Sequence, residues 1–221
     1  QAFAEDPLRV FRVARFMAEL SEFKVADKTR ELTLQMSQNG ALRELPAERI
    51  STEMVKALDS INPQLFFEFL AGCDGLTDWF PELIDRNFAF SSVDSIDRFC
   101  ELDLEKKSFE SLVKRLKLSK KYLVASRHWS TFGGLIKNWR RSPKEELYDC
   151  LCKTNFFHDD SNLQRLLNLA SKHGSYEFEE LENILNKLAE MVFEPNRSEL
   201  VGEALGRQIR ESRIQWLRSQ Y

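Results

Sequence analysis

An all-α protein is predicted, on three observations. Apolar residues recur at three- and four-residue spacing along most of the chain, as a helix with one buried face requires. No stretch of comparable length alternates as a strand does. Only 8 Gly and 6 Pro occur in 221 residues, few for a chain built on tight turns.

Each helix follows from its own signals. Asp6 is a good N-cap and Pro7 needs no backbone N–H at a first helical position, so a helix is predicted over about residues 7–21. Val10, Ala14 and Ala18 face inward with Phe11 and Leu8 beside them, and Glu5, Arg9 and Arg12 share the other face within about 60° of arc. Asp27 opens a second helix, Lys28 to Ser37, which Asn39-Gly40 stops. A third runs from about Pro46 to Leu58, with Ile50, Met54, Ala57 and Leu58 inward. Asn62-Pro63 starts a fourth, whose Leu65, Phe66, Phe69 and Leu70 form a core stripe ending near Gly72. Residues 86–103 mix Phe, Ser and Asp without periodicity and suggest a boundary. Phe109, Leu112, Val113 and Leu116, then Tyr122 and Leu123, give amphipathic helices with cations outward, and Trp129, Phe132 and Trp139 are interleaved. A helical pair over 145–174 buries Leu147, Leu151, Leu163, Leu166, Leu167 and Ala170, and His173-Gly174 ends it. An acidic helix from Glu177 to Val192 places Leu181, Ile184, Leu185, Leu188 and Met191 inside, before Pro195 breaks it. The closing helix, roughly Ser198 to Arg218, carries Leu200, Val201, Leu205, Ile209, Ile214 and Trp216, with Arg207, Arg210 and Arg213 along one ridge.

Composition is that of an ordinary globular protein, 43% hydrophobic and 30% charged. No apolar run approaches the length of a membrane span, and no signal peptide is expected. The net charge of −3 hides a strong asymmetry. Residues 1–104 hold 11 Lys/Arg against 19 Asp/Glu, residues 105–144 hold 12 against 2, and residues 145–221 hold 9 against 14. The middle segment (Lys114, Arg115, Lys117, Lys120, Lys121, Arg127, Lys137, Arg140 and Arg141 among its cations) reads either as a solvated exterior or as a surface for nucleic acid. Cys73, Cys100, Cys150 and Cys152 lack ligand spacing, and buried free thiols are expected. His158-Asp159-Asp160 has no upstream His to complete a metal site, so a loop or helix cap is expected there, and no metal.

Taken as residues alone, Glu5, Asp6, Arg9 and Arg12 read first as a solvated, ion-paired helix face. Yet Glu5-Asp6-Pro7-Leu8-Arg9-Val10-Phe11-Arg12 resembles the E-D-x-x-R-x-x-R motif of the class II tRNA nucleotidyltransferases, the CCA-adding enzymes, and of their relatives the bacterial poly(A) polymerases. The likeness continues through Ala41-Leu42-Arg43-Glu44-Leu45-Pro46-Ala47-Glu48-Arg49-Ile50, Asn62-Pro63-Gln64-Leu65-Phe66-Phe67, Cys73-Asp74-Gly75-Leu76 and Trp79-Phe80-Pro81-Glu82-Leu83, and reappears in Gly206 to Ile214.

The resemblance implies an elongated neck, body and tail: neck 1–85, body with the basic segment 86–150, tail 151–221. It implies that Asp6 and Arg9 read the incoming base, with Arg12 also binding nucleotide and Glu5 orienting Arg9. Cytosine and adenine each present an amine donor beside a ring-nitrogen acceptor. A carboxylate can accept from the first while a guanidinium donates to the second, and guanine and uracil reverse both. Glu48 and Arg49 would support that helix. The basic segment, with Arg207, Arg210 and Arg213, would grip the tRNA backbone, positioning rather than reading sequence.

Nucleotidyl transfer also needs a carboxylate pair for two metal ions, typically behind a Gly-Ser turn, and no such arrangement occurs in the chain. The resemblance places that pair, with its Mg²⁺, in a head domain preceding Gln1. This chain then reads as a fragment, inactive alone and cytoplasmic, whose parent uses CTP and ATP. A poly(A) polymerase and a stand-alone helical RNA-binding module are the alternatives.

Overall fold

In a computed structural model, which describes residues 6–20, 22, 24–174, 178–191 and 202–220, every regular element is a helix. Eleven α-helices and one 3-10 turn (Pro81–Leu83) occur among the described residues, and no strand. The chain divides into two compact units, Gln1–Ser130 and Thr131–Tyr221.

The first unit is built around α1 (Arg9–Glu19), whose Val10, Phe11, Ala14 and Ala18 are fully buried. It packs on α3 (Ala47–Leu58) and α4 (Gln64–Gly72), and touches α2 (Asp27–Gln38). The inward faces of α1 and α3 follow the sequence pattern. In α4 the pattern misled by one place: Phe67 is fully buried while Leu65 is only half-buried. The reason lies outside the helix. Phe67 meets Phe66 and Phe80 edge-on, and Phe88 stacks on it at 4.9 Å. Phe90 lies 6.0 Å away, so the aperiodic stretch beyond Pro81 packs on α4.

Two helix ends in this unit are closed by the same device. α2 ends with Gly40 at φ +72° and a bond from Ala41 N–H to the Met36 carbonyl; α4 ends with Asp74 at φ +57° and a bond from Gly75 N–H to the Leu70 carbonyl. Both pair a left-handed residue with a reach back of five positions, the Schellman closure. A Cβ at Gly75 would lie 2.9 Å from Leu70 Cδ2, so any larger residue there would make the buried Leu70 side chain shift. After α5 (Ser95–Cys100), capped by the Asp94 side chain on the Ile96 and Asp97 N–H groups, comes α6 (Lys106–Arg115). Glu105 occupies the N-cap position of α6 without a side-chain cap bond, and Asp103 sits left-handed before it at φ +48°. The α6 helix closes like α2 and α4, through Lys117 at φ +51° and a bond from Leu118 N–H to Val113.

α7 (Lys120–Lys137) follows. The second unit holds α8 (Lys144–Lys153), α9 (Ser161–Lys172), α10 (Glu179–Glu190) and α11 (Glu203–Ser219). The predicted core residues Leu147, Leu151, Leu163, Leu166, Leu167, Ala170, Leu181, Ile184, Leu185 and Leu188 are buried. Met191 is half-buried, and in α11 the buried pair is Ile214 and Leu217. Asp159 accepts from Ser161 N–H at 3.0 Å in the turn before α9, whose N-cap residue Asp160 makes no side-chain cap bond. Leu200, Val201, Pro195 and the two proposed ends of the acidic helix lie outside the described residues.

Candidate nucleotide-recognition helix and cation surfaces

The first turn of α1 is organised by Asp6. Its carboxylate accepts from Leu8 N–H at 3.1 Å through Oδ1, and its carbonyl accepts from Arg9 N–H at 3.0 Å. The regular helix therefore begins at Arg9, two residues later than the sequence suggested, with Pro7 and Leu8 in the preceding turn. Asp6 Oδ2 accepts from Arg49 Nη2 at 3.2 Å. Both partners stay partly exposed, so carboxylate lone pairs remain for a further donor. Arg9 is half-buried on α1 and Arg12, one turn on, is exposed. Glu5 lies outside the described residues.

Glu48 and Arg49, neighbours on α3, go different ways. Arg49 reaches Asp6, whereas Glu48 pairs with Lys117 at 2.6 Å. The hydrogen bond from Lys117 holds the Glu48 carboxyl below its ordinary range.

Sequence reading missed Arg15. Its Nε donates to Glu53 at 2.6 Å and its Nη1 to Glu19 at 2.5 Å, with the Arg15 and Glu53 side chains only 11% and 10% exposed. Burial alone would lower the Arg15 pKa; the two carboxylates outweigh it and raise it. The signal was present: Glu53 falls within the inward stripe of α3, where a carboxylate needs a buried cation. The result is a second tie between α1 and α3, besides Asp6 with Arg49.

The cations of the middle segment separate into kinds. In the first unit Lys114, Lys120 and Lys121 are exposed and form no ion pair among the described residues. Arg127 is exposed but meets Glu110 at 2.7 Å. Arg115 is committed inward: it donates to both Glu82 oxygens, at 2.8 and 2.5 Å, and to the Trp79 carbonyl at 3.0 Å. Burial would raise the Glu82 carboxyl, and Arg115 more than offsets that and lowers it.

In the second unit Arg140 lies over the Trp139 ring and pairs with Glu180, Arg141 is exposed, and Lys137 is half-buried. The three arginines of α11 do not form one free ridge. Arg207 is exposed, Arg210 bonds Asp149 at 2.5 Å, and Arg213 stacks 3.8 Å from the Phe157 ring centroid. Trp129, Phe132 and Trp139 are buried, so these interleaved aromatics are core and not platforms for bases.

Cys73, Cys100 and Cys150 are buried thiols, with burial pushing Cys150 up to about 12. Cys152 is exposed, contrary to the expectation that all four are buried. Among the described residues no three His, Cys, Asp or Glu side chains gather as a metal site would require.

Residues 22–86 match the family described as "Probable RNA and SrmB- binding site of polymerase A". A CCA-adding enzyme of Pseudomonas putida is 45% identical over 95 residues, covering 42% of this chain and 26% of that protein. A CCA-adding enzyme solved with ATP superposes at a TM-score of 0.63 and 17% identity, covering 97% of this chain and 57% of that one. The Thermotoga maritima CCA-adding enzyme complexed with tRNA superposes at 0.59 and 17% identity, covering 96% and 57%. At such identity the two structures show the fold. This chain spans about a quarter of the curated relative and just over half of each solved one.

Proposed function

We propose that the chain belongs to the CCA-adding enzyme and poly(A) polymerase family and supplies base selection and tRNA docking to an enzyme adding C and A to tRNA 3′ ends without a nucleic-acid template. The carrying observation is the start of α1. A half-buried guanidinium, Arg9, stands three residues from a carboxylate that Arg49 and Leu8 N–H hold in place. In this reading Asp6 accepts the exocyclic amine of cytosine or adenine and Arg9 donates to the adjacent ring nitrogen. Arg12 contacts the nucleotide one turn on, Glu5 orients Arg9, and Arg49 fixes the Asp6 rotamer. Glu48 supports the arrangement indirectly, through Lys117. A base with a carbonyl and an N–H at those places would leave both protein groups facing their own kind, which discriminates strongly.

Residues 1–85 act as neck, 86–150 as body and 151–221 as tail. Lys114, Lys117, Lys120, Lys121, Arg127, Lys137, Arg140, Arg141 and Arg207 offer positive charge to tRNA phosphates, while Arg115, Arg210 and Arg213 chiefly hold the surfaces that present them. The carboxylates and Mg²⁺ for bond formation are assigned to a catalytic domain outside this chain, so the chain by itself is not expected to extend tRNA. No described helix is long and apolar enough to cross a membrane, and the cytoplasm is the proposed location.

The test is Arg9→Ala in the intact protein. Incorporation of CTP and ATP should fall by at least about 2 kcal/mol in kcat/KM, as for loss of a charged hydrogen-bond donor, and discrimination against UTP and GTP should narrow. Unchanged discrimination overturns the assignment. A second reading, a poly(A) polymerase, is favoured by the match of residues 22–86 to a polymerase A family; incorporation of C from CTP by the intact protein decides against it, and ATP-only extension for it.

A further inference from the structure

Within the first unit one short element joins the nucleotide-recognition helix to the exposed lysines of α7. α5 carries Arg98 and ends at Glu101, and both charged residues are buried, at 8% and 7% exposure. Arg98 holds the end of α3. Its Nη1 donates to the carbonyls of Leu58, the last residue of α3, at 2.5 Å and of Ser60, in the turn beyond, at 2.6 Å. Its Nε donates to the Ser92 carbonyl at 2.6 Å. Carbonyls at a helix end lack helical partners and carry partial negative charge, so a guanidinium fork suits them. Asn62 N–H, two residues past Ser60, donates to the Ala18 carbonyl of α1 at 3.2 Å. Glu101 fixes the segment before α5, accepting from the N–H groups of Ser91 and Ser92 at 3.1 and 3.0 Å and from the Ser92 hydroxyl at 2.8 Å.

The same helix also holds α7. Ser95 Oγ and the Tyr122 hydroxyl lie 3.2 Å apart. Phe99 meets Tyr122 edge-on at 5.3 Å between centroids, and Phe109 of α6 at 5.4 Å. Lys120 and Lys121 immediately precede Tyr122, and Lys121 Nζ stands 5.6 Å from its ring centroid. These links run in series. At one end is α3, which holds Asp6 through Arg49 and Arg15 through Glu53; at the other are the two lysines. Buried charge adds little net stability over packed apolar groups, because desolvation cancels most of the attraction. What Arg98 does supply is geometry, since one planar group meets carbonyls of two separate segments.

We infer that Arg98 is a positioning residue for tRNA: by locking α5 to the end of α3 it sets the spacing between the Asp6–Arg9 pair and Lys120 and Lys121, so that a tRNA held by its phosphates on the lysines presents its 3′ end to the base-selecting helix. The inference rests on the roles proposed above for those two groups. A lysine at position 98 keeps the charge but lacks the fork that spans both segments.

The experiment is a double-mutant cycle on the intact protein, pairing Arg98→Lys with Lys120→Glu/Lys121→Glu. Arg98→Lys should raise KM for tRNA about tenfold and leave KM for CTP and discrimination against UTP unchanged, since Asp6 and Arg9 are intact. In the Lys120→Glu/Lys121→Glu background the same change should cost less than about twofold, because the phosphates it positions are no longer held there. Losses that simply multiply would make Arg98 a residue of the fold alone and overturn the inference. A KM for CTP that rises together with that for tRNA would do the same. Thermal melts check that each variant is folded. Ser95→Ala, which removes only the bond to Tyr122, enters the same cycle as a milder second variant, expected at about threefold on KM for tRNA. Unchanged tRNA kinetics in both variants also overturns the inference. If the intact protein binds tRNA but adds neither C nor A, the proposed function fails by itself, and the cycle read as tRNA affinity by filter binding still decides the role of Arg98.

Discussion

Asp6 illustrates how a single side chain becomes a recognition group. Leu8 N–H occupies one oxygen and Arg49 the other, so its rotamer is set before any base arrives. Arg49→Ala should therefore act as a positioning defect: kcat/KM for CTP and ATP falls several-fold, and Arg49→Lys, which keeps the charge but not the fork, restores only part. Equal kinetics for all three proteins would show that Asp6 needs no support. A second residue-scale expectation concerns Glu82, whose carboxyl is held low by Arg115. A group with a depressed folded pKa adds stability that is fully present above its ordinary value of 4.5 and is lost as pH falls through the folded value. Urea denaturation across pH should show that Glu82→Gln flattens the acid limb; an unchanged limb would contradict this. Cys152 alone of the four thiols should react with Ellman's reagent in the native chain.

Residue roles were unevenly legible. Asp6, Arg9 and Arg12 stood out because the motif gathers them within seven positions. The Asp6–Arg49 contact spans 43 positions and was visible only as a suspicion attached to Arg49. Arg115 was read as a surface cation because its partner, Glu82, lies 33 residues back.

At the scale of elements, α1 owes its orientation to packing and to two ion pairs with α3. Leu8, Val10, Phe11, Ala14 and Ala18 fill the interface, Asp6–Arg49 ties one end, and Arg15–Glu53 ties the other. Glu53→Ala leaves a nearly buried Arg15 with only Glu19, and should cost about 2 kcal/mol in chemical denaturation; a loss below about 0.5 kcal/mol would make the pair incidental. Helix closures offer a cleaner test. Gly40 is at φ +72° with only ordinary contacts where a Cβ would stand, so Gly40→Ala should cost about 1 kcal/mol from backbone strain alone. Asn155, at φ +64° with the same five-residue reach from Phe156 N–H to Leu151, should gain a few tenths of a kcal/mol on replacement by Gly. Asn155 carried no signal that the sequence reading used, whereas the end of α2 was readable because Asn39-Gly40 is a local stop. The place of Phe67 was not, because Phe88 and Phe90 reach it from a stretch with no periodicity at all.

For the molecule as a whole, the informative quantity is where charge collects. The cationic stretch 105–144 is divided between the two compact units, and Lys114, Lys120 and Lys121 are exposed cations of the first that form no ion pair among the described residues. Replacing Lys120 and Lys121 by Glu should weaken tRNA binding and reduce the slope of log affinity against log salt by about 1 to 2. An unchanged slope would remove these lysines from the interface. Composition foretold that asymmetry, whereas it gave no hint that the tryptophans within the stretch are core. The most direct test of base selection is a structure of the intact protein with bound CTP and, separately, ATP. The account expects the exocyclic amine within hydrogen-bond distance of the Asp6 carboxylate and the neighbouring ring nitrogen on Arg9. A base seated away from both side chains, in a protein that still adds C and A, would contradict it.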